Sequence, residues 1–410
     1  MAGFTKVMKG SAFTQKSFPC KECGASLVFS ADDTALKCEY CGTINYLYPP
    51  KVPIEEHNLE TTIDKIAQAP RYDLKAPKEI KCPVCAATFA LDPHLRTTRC
   101  PYCNAPIVTN LDIFMPLAPE SLLPFKINQK RAKKIFKKWV GSLWFAPSKL
   151  SRYSHAETTF EGIYLPYWTY DADTLTHFQG YRGDTYYERV TRRVYIDGRE
   201  QLVEEMQPRI RWTPVSGETQ RHFDDILIGA TRTLPRKLAD SLQPWDLENL
   251  VPYDEKYLSG FESETYSVAL EQGFEYAKNY MEYTIREDVR RRIGGDHQKI
   301  SYMQIYHTNK TFKYILLPVW TAHFRYKNRE YRFAINARTG TIRGERPYSW
   351  VKILSAVLLG LTLLGILFYL SEHAEAPSQI IQHLQILFNP LFATPSGGGG
   401  RGVRRVSRGD

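Results

Sequence analysis

Eight cysteines are the residues of this chain whose type and spacing point most directly to chemistry. They form two quartets with the same spacing, C-x2-C-x14-C-x2-C, and the second quartet begins 62 residues after the first. Each C-x2-C forms a tight turn that directs two thiolates at one metal ion, and a hairpin of this length brings two such turns together. The spacing therefore predicts two structural zinc ions in two zinc ribbons, residues 18–48 and 80–108. The ligands are Cys20, Cys23, Cys38, Cys41, Cys82, Cys85, Cys100 and Cys103.

Other uses of the cysteines remain open from the sequence alone. A disulfide framework needs an oxidising compartment, and the first 17 residues lack the apolar core of a secretory signal. A redox C-x-x-C pair does not account for two identical quartets, whereas an iron–sulfur or rubredoxin-type iron site uses the same ligands. Because four protein ligands leave no position for a catalytic water, the predicted zinc ions are structural. Of the residues that follow each turn, Gly24, Gly42 and Asn104 tolerate left-handed backbone, and Ala86 is less suited to it.

The elements that position these ribbons include a membrane segment. From Ile353 to Leu370 the chain has 18 residues without a charge, close to the ~20 that span the hydrocarbon. This predicts a transmembrane helix over residues 351–370. Five basic residues, Arg332, Arg338, Arg343, Arg346 and Lys352, lie on the N-terminal side of this uncharged stretch, and none lies between Ser371 and Pro390. The positive-inside rule therefore places the N-terminal domains in the cytoplasm. We therefore expect a single-pass protein of the inner (cytoplasmic) membrane.

Residues 109–350 are predicted to form a β-rich α+β cytoplasmic domain, because 26 Tyr, 20 Phe and 7 Trp favour half-buried pleated surfaces. Two similar runs, Leu165–Thr169 (LPYWT) and Leu317–Thr321 (LPVWT), indicate an internal duplication with units at about 123–195 and 251–345. The fold class is α+β with two ribbons and one transmembrane helix. The remaining segments are a flexible N-terminus (1–17), a linker (49–79), an interfacial segment (371–395) and a flexible Gly/Arg-rich tail (396–410).

Two amphipathic helices are predicted inside this domain. Residues 267–293 repeat apolar side chains at helical spacing and end at Gly294-Gly295, which is typical of a scaffold helix. Residues 129–139 put apolar side chains on one face and six basic ones on the rest. With a net charge of +10, this face favours acidic lipid or nucleic acid, or is simply solvated. The basic residues are Lys130, Arg131, Lys133, Lys134, Lys137 and Lys138.

The sequence offers no recognisable catalytic motif. It contains no phosphate-binding loop, no G-x-S-x-G and no H-E-x-x-H, and the two quartets leave no cysteine as a nucleophile. His222, Asp224 and Asp225 are interpreted as ordinary loop residues. We therefore expect a protein that is not an enzyme.

Three segments resemble a bacterial family. They are residues 18–42 (FPCKECGASLVFSADDTALKCEYCG), residues 165–174 (LPYWTYDADT) and residues 333–350 (FAINARTGTIRGERPYSW). They are similar to membrane-anchored zinc-ribbon proteins of the transcription-factor-IIB-type class, some of which are labelled primosomal-helicase-like. The resemblance implies phage-shock-protein-A-like or flotillin-like (SPFH) partners in envelope-stress systems. It does not imply a helicase, because the phosphate-binding loop of such a motor is absent from the sequence.

Together these patterns predict a membrane-anchored zinc-ribbon adaptor that binds a cytoplasmic protein partner and holds it at the bilayer. The alternative is a membrane-tethered nucleic-acid-binding protein that uses the ribbons and the basic helix. Salt-sensitive binding to DNA distinguishes the two hypotheses.

Overall fold

The computed structural model describes residues 15–50, 52–68, 78–91, 95–109, 117–147, 159–196, 199–326 and 329–373. Residues 1–14 of the predicted N-terminal segment, nearly all of the interfacial segment and the whole Gly/Arg-rich tail lie outside these ranges. The chain divides into two compact units. The first comprises residues 1–144 and 148–347, and the second comprises residues 145–147 and 348–410.

The strands are short in the N-terminal third and very long afterwards. In chain order they are β1 (Gln15–Lys16), β2 (Leu27–Ser30), β3 (Ala35–Cys38), β4 (Ile44–Tyr46), β5 (His57–Asn58), β6 (Lys78–Lys81), β7 (Thr88–Leu91), β8 (Leu95–Arg99), β9 (Pro106–Thr109), β10 (Ser121–Leu122), β11 (Thr159–Ile196), β12 (Arg199–Gly229), β13 (Val251–Pro252), β14 (Glu262–Glu264), β15 (His297–Tyr326), β16 (Arg329–Asn336) and β17 (Ile342–Gly344).

The α-helices are fewer. They are α1 (Leu59–Gln68), α2 (Gln129–Ser142), α3 (Arg236–Asp240), α4 (Leu270–Ile293) and α5 (Trp350–His373), with single 3-10 turns at Leu247–Asn249 and Glu255–Leu258. The fold is therefore mixed α+β and rich in sheet, as the sequence predicts.

One large sheet organises the first unit. Strand β11 lies at its centre and pairs antiparallel with both β12 and β15 over most of its length. The sheet order is β1-β9-β8-β14-β11-β15-β10-β13, with β12 on β11, β5 and β16 on β15, and β17 on β16. The aromatic side chains that favour strands fill its centre, where Tyr164, Trp168 and Tyr314 are fully buried. The sheet is thus the scaffold to which the N-terminal ribbons attach.

The long helix α4 packs across one face of this sheet. Its apolar residues recur every three or four positions, and all the predicted ones from Leu270 to Val289 are buried. Gly273 permits close contact, because a Cβ at this position would collide with Tyr170. The Tyr170 hydroxyl donates to the Leu270 carbonyl at 2.7 Å. The helix ends at Gly294, whose φ of +67° suits glycine, so the scaffold-helix prediction is confirmed.

The two repeated motifs lie opposite each other in the sheet. Leu165 of β11 is paired with Leu317 of β15, and the short strands β10 and β13 that precede the two halves are also paired. This arrangement is compatible with the internal duplication, which stays a prediction. Part of the segment assigned as a linker is ordered: β5 pairs with β15 at Thr311 and Phe312, and α1 follows it.

Candidate metal centres

The four cysteine turns repeat one backbone arrangement. In each turn the N–H of the first cysteine donates to the carbonyl five residues later, at 2.6–2.9 Å. The residue after the second cysteine donates back to the carbonyl of the first cysteine, at 2.9–3.0 Å. That residue has positive φ in every turn: +75° at Gly24, +79° at Gly42, +63° at Ala86 and +57° at Asn104. The left-handed backbone predicted at these positions is confirmed, and it includes the less suited alanine.

The sulfur atoms of each quartet converge as metal ligands do. In both quartets all four ligand atoms lie within 4.8 Å of one another. The closest sulfurs are 3.5 Å apart for Cys20–Cys41 and Cys23–Cys38, and 3.6 and 3.7 Å apart in the second quartet. Four sulfurs at 2.3 Å from a tetrahedral zinc lie about 3.8 Å apart, whereas a disulfide requires about 2.05 Å. The quartets therefore suit one four-coordinate ion each, with no open position for water.

The two centres differ in what stabilises the thiolate of the last turn. In the first ribbon the Thr43 hydroxyl lies 3.0 Å from the Cys41 sulfur, and the Thr43 hydroxyl and N–H lower the pKa of Cys41 to about 6. A low pKa favours the thiolate, which is the form that binds metal. In the second ribbon Ala105 occupies the position equivalent to Thr43 and has no hydroxyl to offer the Cys103 sulfur.

A single stretch of the chain holds both ribbons against the sheet. This ribbon-binding segment, Tyr257–Glu264, precedes α4 by a few residues. On the first ribbon, the Phe29 N–H donates to the Ser259 carbonyl at 2.8 Å, and the Ser259 hydroxyl donates to the Leu27 carbonyl at 2.7 Å. The Phe29 ring packs 5.2 Å from that of Tyr257.

The second ribbon joins the same segment through its own strands. Strand β8 pairs with β14, so β8 and β9 extend the large sheet. The Thr97 hydroxyl donates to the Phe261 carbonyl at 2.7 Å, and Arg99 donates to the Gly260 carbonyl at 3.2 Å. The ribbons are therefore parts of the first unit, attached side by side. The sequence gives no signal for this, because the contacts join residues more than 160 positions apart.

The basic helix α2 has the predicted amphipathic arrangement. Ala132, Phe136 and Val140 are buried, and Phe136 stacks on Phe333 at 4.1 Å. Asn128 caps the helix by accepting from the Arg131 N–H at 2.7 Å. The six basic residues, Lys130, Arg131, Lys133, Lys134, Lys137 and Lys138, are all exposed, and among the described residues none of them forms an ion pair. Their charge is therefore available to an anionic surface.

Helix α5 belongs to the second unit. Residues 350–371 make it long and apolar enough to cross a membrane, and none of its apolar window is buried within the protein. Its first turn is tied to residues 145–147: the Ser349 N–H donates to the Phe145 carbonyl at 2.8 Å, and Lys352 donates to the Ala146 carbonyl at 2.8 Å. Twenty-two residues of helix measure about 33 Å, which matches the hydrocarbon thickness.

A third group of potential ligands lies on the first unit. Carboxylate oxygens of Glu56, Asp171 and Asp224 fall within 4.8 Å of one another. The side chain of Lys313, which is 8% exposed, lies 3.0 Å from Glu56 and 2.8 Å from Asp225. Burial opposes its charge, but hydrogen bonds to Asp225 and Glu56 raise the pKa of Lys313. Because a buried ammonium already pairs with Glu56 of this group and with the neighbouring Asp225, we interpret the group as structural.

The open face of the sheet also brings together a histidine and a carboxylate that sequence reasoning did not connect. His222 Nδ1 lies 2.7 Å from Asp173, which also accepts from Asn309 at 2.8 Å. Hydrogen bonding to Asp173 raises the pKa of His222. The two residues are 49 positions apart and meet through the register of β11 and β12, which the sequence does not specify. All the described cysteines belong to the quartets, so among these residues no thiol lies beside His222 and Asp173.

Comparisons with known proteins add one relative. The chain is 24% identical over 338 residues to the uncharacterized protein YdjG of Bacillus subtilis. The aligned region covers 82% of this chain and 92% of the relative. No protein-family model matches the chain, and no solved structure matches it.

The strained alanine leads to a prediction for the second ribbon. A left-handed alanine costs ~1–2 kcal/mol, and Ala86→Gly removes this cost. Glycine also increases the entropy of the unfolded chain, which offsets part of the gain. We expect net stabilisation of about 1 kcal/mol, measured as roughly fivefold tighter zinc retention by the second centre against a competing chelator. Gly24→Ala is the matched reverse change, because Gly24 is equivalent and has open space around its Cβ position. It should weaken the first centre, and equal retention by all three chains would contradict the argument.

Proposed function

We propose that this chain is a non-enzymatic membrane-anchored adaptor, whose ribbons bind a cytoplasmic protein partner while α5 holds the complex at the inner membrane. The two closed four-sulfur centres support a structural role for the metal, because neither leaves a coordination position for a substrate. The apolar helix α5 supplies the anchor. The arginines that precede it and Lys352 in its first turn favour a cytoplasmic N-terminal part.

The observation that carries this proposal is an exposed aromatic side chain on each ribbon. Tyr40 and Tyr102 stand at equivalent positions of the last cysteine turns, and they are 87% and 71% exposed. The ribbon-binding segment contacts strands of both ribbons and leaves these turns in solvent. Tyrosines held on rigid turns lose little entropy on binding and are enriched in protein interfaces. By resemblance, the partner is a phage-shock-protein-A-like or flotillin-like protein of an envelope-stress system.

We expect two changes to separate anchoring from binding. Deleting Ile353–Leu370 should release the partner from the membrane fraction while it still co-purifies with the soluble chain. Tyr40→Ala with Tyr102→Ala should abolish co-purification, because both exposed anchors are lost. Tyr48→Ala with Tyr283→Ala is the matched control, since these tyrosines are 86% and 69% exposed outside the cysteine turns. The proposal would be rejected if the Tyr40/Tyr102 double variant retained the partner, or if the Tyr48/Tyr283 control lost it.

A nucleic-acid function is the second candidate, and the unpaired basic face of α2 favours it. Changing Lys133, Lys134, Lys137 and Lys138 to Gln should then lower DNA affinity for all sequences and flatten its salt dependence. For an adaptor with a solvated helix, the variant keeps both its partner and its location. Weaker association with acidic vesicles, without any change on DNA, would instead indicate lipid binding. Tight wild-type DNA binding at physiological salt that disappears in the variant would replace the adaptor proposal.

A further inference from the structure

The sheet extends into a two-stranded arm, Gly183–Ile196 of β11 paired with Arg199–Trp212 of β12. Strand β15 begins at His297, opposite Gly183, so it does not accompany the arm. Helix α4 ends at Ile293 and covers only the three-stranded part. The arm is roughly 40 Å long at 3.3 Å per residue. An isolated two-stranded ribbon is marginally stable in water, so an arm of this length needs another layer to pack against.

The two faces of the arm differ in composition. Residues paired across the strands share a face, and the odd-numbered positions of β11 therefore lie with the even-numbered positions of β12. This odd face carries six large apolar side chains that are between 41% and 74% exposed. They are Tyr187, Tyr195, Leu202, Met206, Ile210 and Trp212.

Charged side chains on the arm are matched with one another. On the other face Arg209 pairs with Glu188 at 3.2 Å, and on the odd face Arg189 pairs with Glu204 at 3.4 Å. Residues 183–212 contain six Arg, no Lys and six Asp or Glu. An arm without net charge has no electrostatic attraction for nucleic acid or acidic lipid. The odd face is therefore suited to an apolar, neutral partner.

The β12 edge of the arm carries a proline that disfavours strand addition there. Pro208 and Pro214 lie on β12 at positions of the same parity, paired with Tyr187 and Tyr181. Proline has no N–H to donate, and in sheets it is tolerated where that side faces solvent. Pro208 lies within the arm and Pro214 just after it in the chain, and each removes one donor from β12, which disfavours pairing at that edge. The exposed apolar side chains are concentrated on the odd face, which is therefore the surface we take for contact.

We propose that the odd faces of the arms of two copies of this chain stack on each other, giving a two-fold dimer. In an antiparallel stack, Trp212 at the base of one arm lies over Tyr195 at the tip of the other. The six side chains, each with about 100 Å² exposed, bury about 600 Å² per copy. Tyr181 and the two prolines share the face and bring the area near the ~800 Å² per partner of a standard interface. A neutral, elongated face is self-complementary under this symmetry.

The test compares two double variants of the full chain in detergent micelles. Leu202→Arg with Met206→Arg places two charges on the odd face. Val203→Arg with Gln207→Arg places them one residue along, on the other face, at the same spacing. Light scattering with detergent correction should give a dimer for the wild type and the second variant, and a monomer for the first. A monomeric wild type, or the same mass for both variants, would overturn the proposal.

A second measurement does not depend on the stability of the charged variants. A benzophenone side chain in place of Tyr195 should crosslink two full-length chains on illumination. The same side chain in place of Val203, on the other face, should leave them separate. Crosslinked dimer from position 203 and none from position 195 would refute the stacking of odd faces. Both outcomes are read on denaturing gels, and neither involves the partner of the adaptor proposal.

Discussion

Removing metal should unfold both ribbons and release one border of the large sheet. Structural zinc contributes ~10–16 kcal/mol of apparent binding energy in small modules, more than such modules gain from burial. Because β8 pairs with β14 and Phe29 packs on Tyr257, losing the ribbons should also expose the ribbon-binding segment. We expect two zinc ions per chain by elemental analysis. After chelation, amide exchange should accelerate in residues 18–46, 78–109 and 257–264.

The long strands serve as the internal control for this experiment. Strands β12 and β15 both pair with β11, and all three should keep their amide protection after chelation. Cys82→Ser with Cys85→Ser should leave one ion and unfold the second ribbon alone. Iron in the purified chain, or fewer than two ions, would contradict the zinc assignment. Unchanged exchange in Tyr257–Glu264 would contradict the coupling between the ribbons and the sheet.

Lys313→Met should destabilise the first unit strongly. It leaves Glu56 and Asp225 without their cation at a position where the lysine side chain is 8% exposed. Removing one partner of a buried pair costs ~3–5 kcal/mol, and the partial exposure of the carboxylates reduces the expected loss to about 3 kcal/mol. Urea unfolding of the full chain, followed by tryptophan fluorescence, measures the change in free energy.

Lys310→Met is the matched control on the same strand. Lys310 pairs with Glu60, whose side chain is 66% exposed, so the pair should contribute about 0–1 kcal/mol. Methionine keeps most of the apolar stem of either lysine, which restricts the comparison to the charge. Equal losses in the two variants would show that the charge of Lys313 is not what stabilises this region.

The loss in Lys313→Met should also depend on pH. In the wild type, burial acts against the charge of Glu56, but hydrogen bonding to Lys313 lowers the pKa of Glu56. A carboxyl group whose pKa is lowered by folding contributes stability at pH values above its pKa in the unfolded state. This stability is lost as the pH falls through its pKa in the folded state. Without the lysine, burial raises the carboxyl pKa values, so protonation relieves the variant. Its deficit should therefore shrink between pH 8 and pH 5.

Local chemistry accounts for the parts of this structure that the sequence predicts. The cysteine spacing determines the four turns and the convergence of the thiolates, and helical periodicity determines the buried faces of α2 and α4. A run of apolar residues indicates α5. Each of these signals is contained within about 25 residues.

The remaining features arise from contacts between distant residues. The sequence around Asp171 and Lys313 does not predict their contact with Glu56, because that contact depends on the register of β15 against β11 and β5. The ribbon-binding segment has no motif and is recognisable only by what packs on it. The length of β11 was also unpredictable, since Pro166 interrupts its sequence pattern while the neighbouring strands hold it extended.

The position of the ribbon-binding segment late in the chain affects how the ribbons fold during synthesis. About 220 residues separate the first cysteine turns from Tyr257–Glu264, which corresponds to roughly 10–40 s of translation. The ribbons therefore emerge long before their support exists, and only bound metal can keep them folded during that interval. Helix α5 leaves the ribosome after every strand of the sheet. A shortage of zinc during translation should thus produce nascent chains whose N-terminal part has collapsed or been degraded before α5 is made.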